Sequence, residues 1–338
     1  MRKSPILFTI VALFFFLPAA LAEEAPEETF NAVIKIRAQI PKDARTARTL
    51  GTEREGNGVL IDSQGHVLTI GYLIVEAETI EAYDRNGKSI SVAFVGYDYN
   101  SGFGLLRLKS PLGITPLKLG DSDEIKEGDR LLVAGYGGSE NARGVQVIVR
   151  KEFAGNWEYL IDEAIFTFPP YLKFGGAALI DQNGQLMGIG SLLTQLVIPD
   201  FGLVPSNMFV PINLIKPILT DLIAFGRPAT PPRPWLGLYV DEIGGHLIVT
   251  RVLPEGPAEK AGLQPGDIIL QVNNQAVEGL ADFYRKVWAM GPAGVEVPLV
   301  LLQGNQIRQI GVKSSDRYQF LRSFRQETKS VKLKPTDK

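Results

Sequence analysis

At 338 residues, 45% of them hydrophobic, the chain is long enough for two or three compact domains with cores of their own, which excludes a disordered polypeptide. Lysine and arginine number 35 against 37 aspartates and glutamates, and this mild acidity excludes the basic face that a nucleic-acid binder needs. With no cysteine there is no disulfide, thiolate metal site or cysteine nucleophile, so any chemistry rests on oxygen and nitrogen groups.

Residues 1–22 have a basic start (Arg2, Lys3), an apolar run from Ile6 to Leu17 and a small-residue ending Ala20-Leu21-Ala22, the pattern of a cleaved export signal. The other reading, an uncleaved anchor, needs roughly 20 apolar residues and the run is shorter. Cleavage leaves 33 basic against 37 acidic side chains. It also leaves no integral membrane segment, because Ile212 to Phe225 and Leu299 to Leu302 are too short or too interrupted. The expected location is outside the cytoplasm, in a bacterial periplasm, with which the lack of cysteine is compatible.

Residues 23–227 carry short apolar or alternating runs: Asn57 to Ile61, His66 to Ile70, Thr79 to Tyr83, Ser91 to Gly96, Phe103 to Leu108, Arg130 to Tyr136, Val145 to Phe153, Ala177 to Asp181 and Gln185 to Leu193. Turn pairs such as Asp62-Ser63, Asn86-Gly87 and Asn183-Gly184 separate them, which predicts an all-β barrel or sandwich. Asn213 is expected to cap a helix from Leu214 to about Phe225, with Pro217 in its first turn and Gly226 as its stop. Residues 228–234 hold four prolines and read as a stiff linker. In the second unit, residues 235–313, Gly256-Pro257 opens a one-turn helix and Pro265-Gly266 suits a type II turn. Strand Ile268 to Val272 and an amphipathic helix from Leu280 to about Met290 follow. Residues 314–338 are polar and end in spaced lysines, which predicts a solvated, flexible tail.

The stretch Gly56-Asn57-Gly58-Val59-Leu60-Ile61-Asp62 followed by Gly65-His66-Val67-Leu68-Thr69 resembles the opening of the HtrA/Deg trypsin-like serine protease fold. In order come Gly96-Tyr97-Asp98 to Leu108, the Leu117-Lys118-Leu119-Gly120-Asp121-Ser122 segment with Gly128-Asp129, Gly175-Gly176-Ala177-Ala178-Leu179 to Gly190, and Phe209-Val210-Pro211-Ile212. The second unit is similar to a bacterial PDZ domain, through Trp235-Leu236-Gly237-Leu238 and the run Ala258 to Ile269. The resemblance implies a mainly β molecule, a trypsin-like double six-stranded antiparallel β-barrel followed by an α+β PDZ domain.

A Ser-His-Asp protease needs a hydroxyl nucleophile, an imidazole base and a carboxylate that orients the base. Aligned to the family, these positions hold Gly175 (Phe174 if shifted by one), Tyr72 and Gly102. Tyrosine titrates near 10 and glycine has no side chain. Losing such a triad costs on the order of 10⁶ in turnover. His66 and His246 read as surface or turn histidines, and Ser101, Ser191, Asp98, Asp162 and Glu163 as turn residues and solvated charges rather than a serine–lysine dyad or a metal site. Pro169-Pro170-Tyr171-Leu172 is expected to remodel the loop before Gly175 and fill the cleft. The expectation is therefore a pseudoenzyme with no catalytic residue, metal or cofactor. It would act as an exported, chaperone-like or regulatory scaffold, with an endopeptidase using non-standard residues as the alternative.

What the resemblance leaves for binding is the PDZ unit. Gly237 allows close approach of a peptide backbone, Trp235, Leu236 and Leu238 line its pocket, and Val287 forms the far wall. The expected partners are protein C-termini or unfolded segments, and the family resemblance adds a homo-trimer or a mixed oligomer with an active relative.

Overall fold

The computed structural model describes residues 27–199 and 201–321. The export signal read in residues 1–22 and the lysine-bearing end of the tail lie outside the described residues. Among the described residues no helix is long and apolar enough to cross a membrane.

The expected double barrel is present. β1 (Val33–Gln39), β2 (Glu53–Leu60), β3 (His66–Ile70), β4 (Thr79–Tyr83), β5 (Ser89–Tyr97) and β6 (Phe103–Leu108) close in the order β1-β2-β3-β6-β5-β4. Every pairing is antiparallel, and alternate residues such as Ile34, Ile36, Leu68 and Leu105 point inward and are fully buried. β7 (Arg130–Ala134), β8 (Ala142–Gly155), β9 (Tyr159–Phe168), β10 (Ala178–Ile180), β11 (Leu186–Ile198) and β12 (Gly202–Pro211) form a second closed barrel in the order β10-β11-β12-β9-β8-β7. Its own core contains Val133, Ile165, Leu179 and Phe209, and a larger apolar cluster runs on from it into the first barrel. β1, β9 and β12 fall outside the strands read from the sequence.

The PDZ unit is a sheet ordered β13 (Leu238–Ile243), β14 (His246–Val252), β15 (Ile268–Val272), β17 (Glu296–Gln303) and β18 (Gln306–Lys313), with β16 (Gln275–Ala276) paired to β15. The helix Leu280–Trp288 covers it with Leu280, Phe283, Tyr284 and Val287, spaced for one buried face. The one-turn helix is found at Pro257–Lys260 with proline at its start.

Two expectations need correction here. The helix expected from Leu214 begins only at Leu219, after Pro217, and is uncapped by Asn213. Asn213 instead donates to Asp121 Oδ1 at 2.6 Å and its amide to Ser122 Oγ at 3.1 Å, tying the barrel end to the Leu119–Ser122 segment. The tail does not start at Ser314. Trp235 and Ser315 exchange backbone hydrogen bonds of 3.2 and 3.0 Å, and Phe320 packs on Trp235 with ring centroids 4.4 Å apart. Arg45 of the first barrel lies over Phe320 and donates to the Pro254 carbonyl of the PDZ unit at 2.9 Å. The last described turn is thus mortar between the two units.

Candidate functional site

β3 ends in the tight turn Gly71–Leu73, which carries Tyr72. The Gly71 amide donates to the Gly102 carbonyl at 2.7 Å, and the Tyr72 hydroxyl donates to the Ser191 carbonyl at 3.0 Å. A Cβ built on Gly175 would lie 2.8 Å from that hydroxyl. The fold therefore brings Tyr72, Gly102 and Gly175 to one place. Burial pushes the Tyr72 phenol well above its ordinary value, so it stays a protonated donor at neutral pH.

The surroundings hold this arrangement firmly. The Gly175 carbonyl accepts from the Asn57 amide at 2.8 Å and from Asn57 Nδ2 at 2.9 Å. Arg54, buried, donates to the Tyr72 carbonyl at 2.7 Å, the Val75 carbonyl at 3.1 Å and Thr46 Oγ1 at 2.8 Å. Burial lowers its guanidinium to about 10, against the pull of Glu76. The proline-rich loop does not fill the cleft: Tyr171 packs into the second barrel's core and donates to the Asn141 carbonyl at 2.8 Å, while Leu172 is 78% exposed.

His66, read as a surface or turn histidine, follows the Asp62–Gly65 turn but is not at the surface. It is 1% exposed, its Nδ1 is 2.6 Å from Asp62 Oδ2, and it starts the strand whose far end carries Tyr72. His246 is exposed at the start of β14. Ser101 is buried with its Oγ donating to Asp98 Oδ2 at 2.6 Å, and Asp98 also accepts from the Tyr318 hydroxyl at 3.3 Å. Asp162 and Glu163 share a cavity wall with Asp98, but among the described residues no three acidic or histidine side chains are grouped to hold a metal.

The PDZ groove contains a feature that sequence reasoning missed. The amides of Leu236, Gly237 and Leu238 all donate to the carboxylate of Glu158, at 2.9, 2.7 and 3.0 Å. Glu158 sits at the tip of the β8–β9 hairpin and is 6% exposed. Gly237 reaches this geometry with φ +78°, a left-handed conformation that glycine adopts at no steric cost. Burial raises the Glu158 carboxyl above its ordinary value, and the three amides and Arg317 pull it back. Trp235, Leu236, Leu238 and Val287 are all buried, the last three in one apolar cluster with Leu160 of β9. No local signal marks Glu158, because its partners lie about 80 residues along the chain.

Residues 56–189 match the trypsin-like peptidase domain family and residues 248–302 the PDZ domain family. The chain is 29% identical over 273 residues to the periplasmic serine endoprotease DegP of Escherichia coli, an alignment covering 75% of this chain and 55% of that protein. It is 26% identical over 337 residues to the periplasmic pH-dependent serine endoprotease DegQ of Escherichia coli, covering 88% of this chain and 72% of that protein. The chain thus spans about half the length of several curated relatives it matches. Among solved structures, the HtrA-type protease AlgW with a decapeptide shares the fold at 20% identity and a TM-score of 0.52, covering 88% of this chain and 98% of that one. These relatives correct one expectation outright: they are named serine endoproteases, which points to protease activity and overturns the reading of the chain as a non-enzyme. With a trypsin-like peptidase domain followed by a PDZ domain, and Deg endoproteases among its relatives, the chain belongs to the HtrA/Deg-type family.

Proposed function

We propose that this chain is an exported, periplasmic HtrA-type protein that takes hold of polypeptides through its PDZ unit, at free C-termini or unfolded segments. The observation that carries the reading is the convergence of the Leu236, Gly237 and Leu238 amides on a single carboxylate. Such a nest of backbone donors suits a chain-terminal carboxylate, and the position of β13 at the edge of its sheet suits strand addition. Trp235, Leu236, Gly237, Leu238 and Val287 are the residues assigned to this role. The periplasmic relatives and the N-terminal pattern of residues 1–22 support export. The test is titration of the full chain with a decapeptide ending in leucine, as the free acid and as its C-terminal amide. The free acid is expected to bind at least tenfold tighter, since charge-assisted hydrogen bonds contribute about 1.5–3 kcal/mol. Equal affinity for the two would sink the reading.

The names of DegP and DegQ favour a second reading, in which the held polypeptide is also cut by a serine-type endopeptidase reaction. Hydroxyl chemistry would then come from a serine, because Gly175 offers none and Tyr72 is locked as a donor to Ser191. On this reading a fluorophosphonate labels one serine, and its alanine variant loses casein turnover. Turnover that persists with no serine labelled would contradict it.

A further inference from the structure

We propose that Glu158 is a built-in ligand of the PDZ groove: the tip of the β8–β9 hairpin sits where an external chain end would bind, and such a chain end must displace it. The inference rests on the reading of that groove as a polypeptide site and adds how the site is regulated.

The hairpin supplies each chemical part of a bound C-terminus from within the chain. The Glu158 side chain stands for the terminal carboxylate and takes all three loop amides. Leu160 stands for an apolar last side chain, packed into the cluster of Leu236, Leu238 and Val287. The Asn156 carbonyl stands for the peptide backbone, accepting from the Val240 amide at 3.0 Å on the outer edge of β13, where no strand pairs among the described residues. The covering helix closes the contact: the Tyr284 hydroxyl donates to the Gly155 carbonyl at 2.8 Å and accepts from the Glu158 amide at 3.1 Å. Asn156 Nδ2 donates to Asp241 Oδ1 at 2.6 Å, and Arg285 pairs with Asp162 and Glu152.

Two features mark this as a contact that can be exchanged. Glu158 is held at φ +59°, a backbone conformation that a side-chain-bearing residue keeps only where its surroundings enforce it. The far end of the same groove, between Asp241–Ile243 of β13, the start of the covering helix at Leu280 and the hairpin's own Glu152–Trp157, is an open cavity of about 830 Å³. An extended chain can enter there before it contests the carboxylate nest. The ligand class is therefore a polypeptide with a free C-terminal carboxylate and an apolar last residue.

The test uses the full chain as wild type, Glu158→Ala and Glu158→Gln, titrated with the leucine-ended decapeptide as free acid and as amide. Removing the internal carboxylate is expected to tighten binding of the free acid at least tenfold in Glu158→Ala and less in Glu158→Gln, with the amide unchanged. Glu158→Gln, which keeps the volume, carries the test if the alanine variant does not fold. Equal free-acid affinity in wild type and variants overturns the inference while leaving the groove a polypeptide site. If no protein prefers the free acid, the groove reading itself fails. Self-occupation is then judged separately by amide hydrogen exchange of Leu236–Leu238 without peptide: slow exchange in wild type that quickens in the variants supports it, and fast exchange in wild type overturns it.

Discussion

Gly176→Ala is expected to destabilise the second barrel by about 3–5 kcal/mol and to lower its unfolding midpoint by roughly 10 °C. Gly176 has φ +74°, where a residue with a Cβ is strained by about 1–3 kcal/mol. Its added Cβ would fall 1.9 Å from the Asn57 carbonyl oxygen and 2.8 Å from Thr69 Oγ1. Neither neighbour can retreat cheaply. The Asn57 oxygen is backbone and accepts from Thr69 Oγ1 at 2.6 Å, while the Asn57 side chain holds the Lys173 and Gly175 carbonyls. The strain is thus delivered to the joint between the barrels, at the loop that ends beside Tyr72. Thermal and urea unfolding followed by near-ultraviolet circular dichroism checks it, and a loss under about 1 kcal/mol would show that the joint yields.

Arg54→Met is the second large effect, expected at about 3–5 kcal/mol. Methionine matches the aliphatic stem and removes the fork. The Tyr72 and Val75 carbonyls lose their donor, and the positive charge that interacts with buried Glu76 is gone. The Glu76 carboxylate also takes the Thr46 amide and hydroxyl, both at 2.7 Å, so the damage spreads to the segment beside the PDZ contact at Arg45. Arg54→Lys keeps the charge but not the planar fork and should cost distinctly less. Urea unfolding of the three proteins gives the comparison, and equal stability of Met and Lys variants would mean that the charge contributes nothing.

Much of the fold is legible locally. β3 and β15 begin and end where alternation and turn residues place them, and Pro257–Lys260 forms where Gly256-Pro257 predicts a turn of helix. What escapes has physical reasons. β9 carries exposed Asp162 and Glu163 inside its apolar run and serves two cores at once: Leu160 turns to the PDZ core while Tyr159, Ile161, Ala164 and Phe166 pack in the barrel cluster. β12 contains Pro205, Ser206 and Asn207, and polar residues are buried there because Asn207 is bonded to the Tyr171 amide and carbonyl at 2.5 and 3.2 Å. The burial of His66, read as a surface or turn histidine, escapes because its partner, Asp62, looks in sequence like an ordinary turn aspartate. The convergence of Tyr72, Gly102 and Gly175 follows from motif order, yet residue identity at those positions does not carry the further step to a non-enzyme, which the named relatives contradict. Glu158 is the extreme case, since three amides of another domain give it its meaning.

The central claim is that the PDZ groove is a polypeptide site whose resident occupant is the chain's own hairpin. Amide hydrogen exchange of the wild-type chain, titrated with the leucine-ended free-acid peptide, addresses it most directly. The Glu158 amide, bonded to the Tyr284 hydroxyl while the hairpin is docked, is expected to lose its protection as peptide saturates, while the Leu236, Gly237 and Leu238 amides stay protected by the incoming carboxylate. Peptide that binds while the Glu158 amide keeps its full protection would contradict the account.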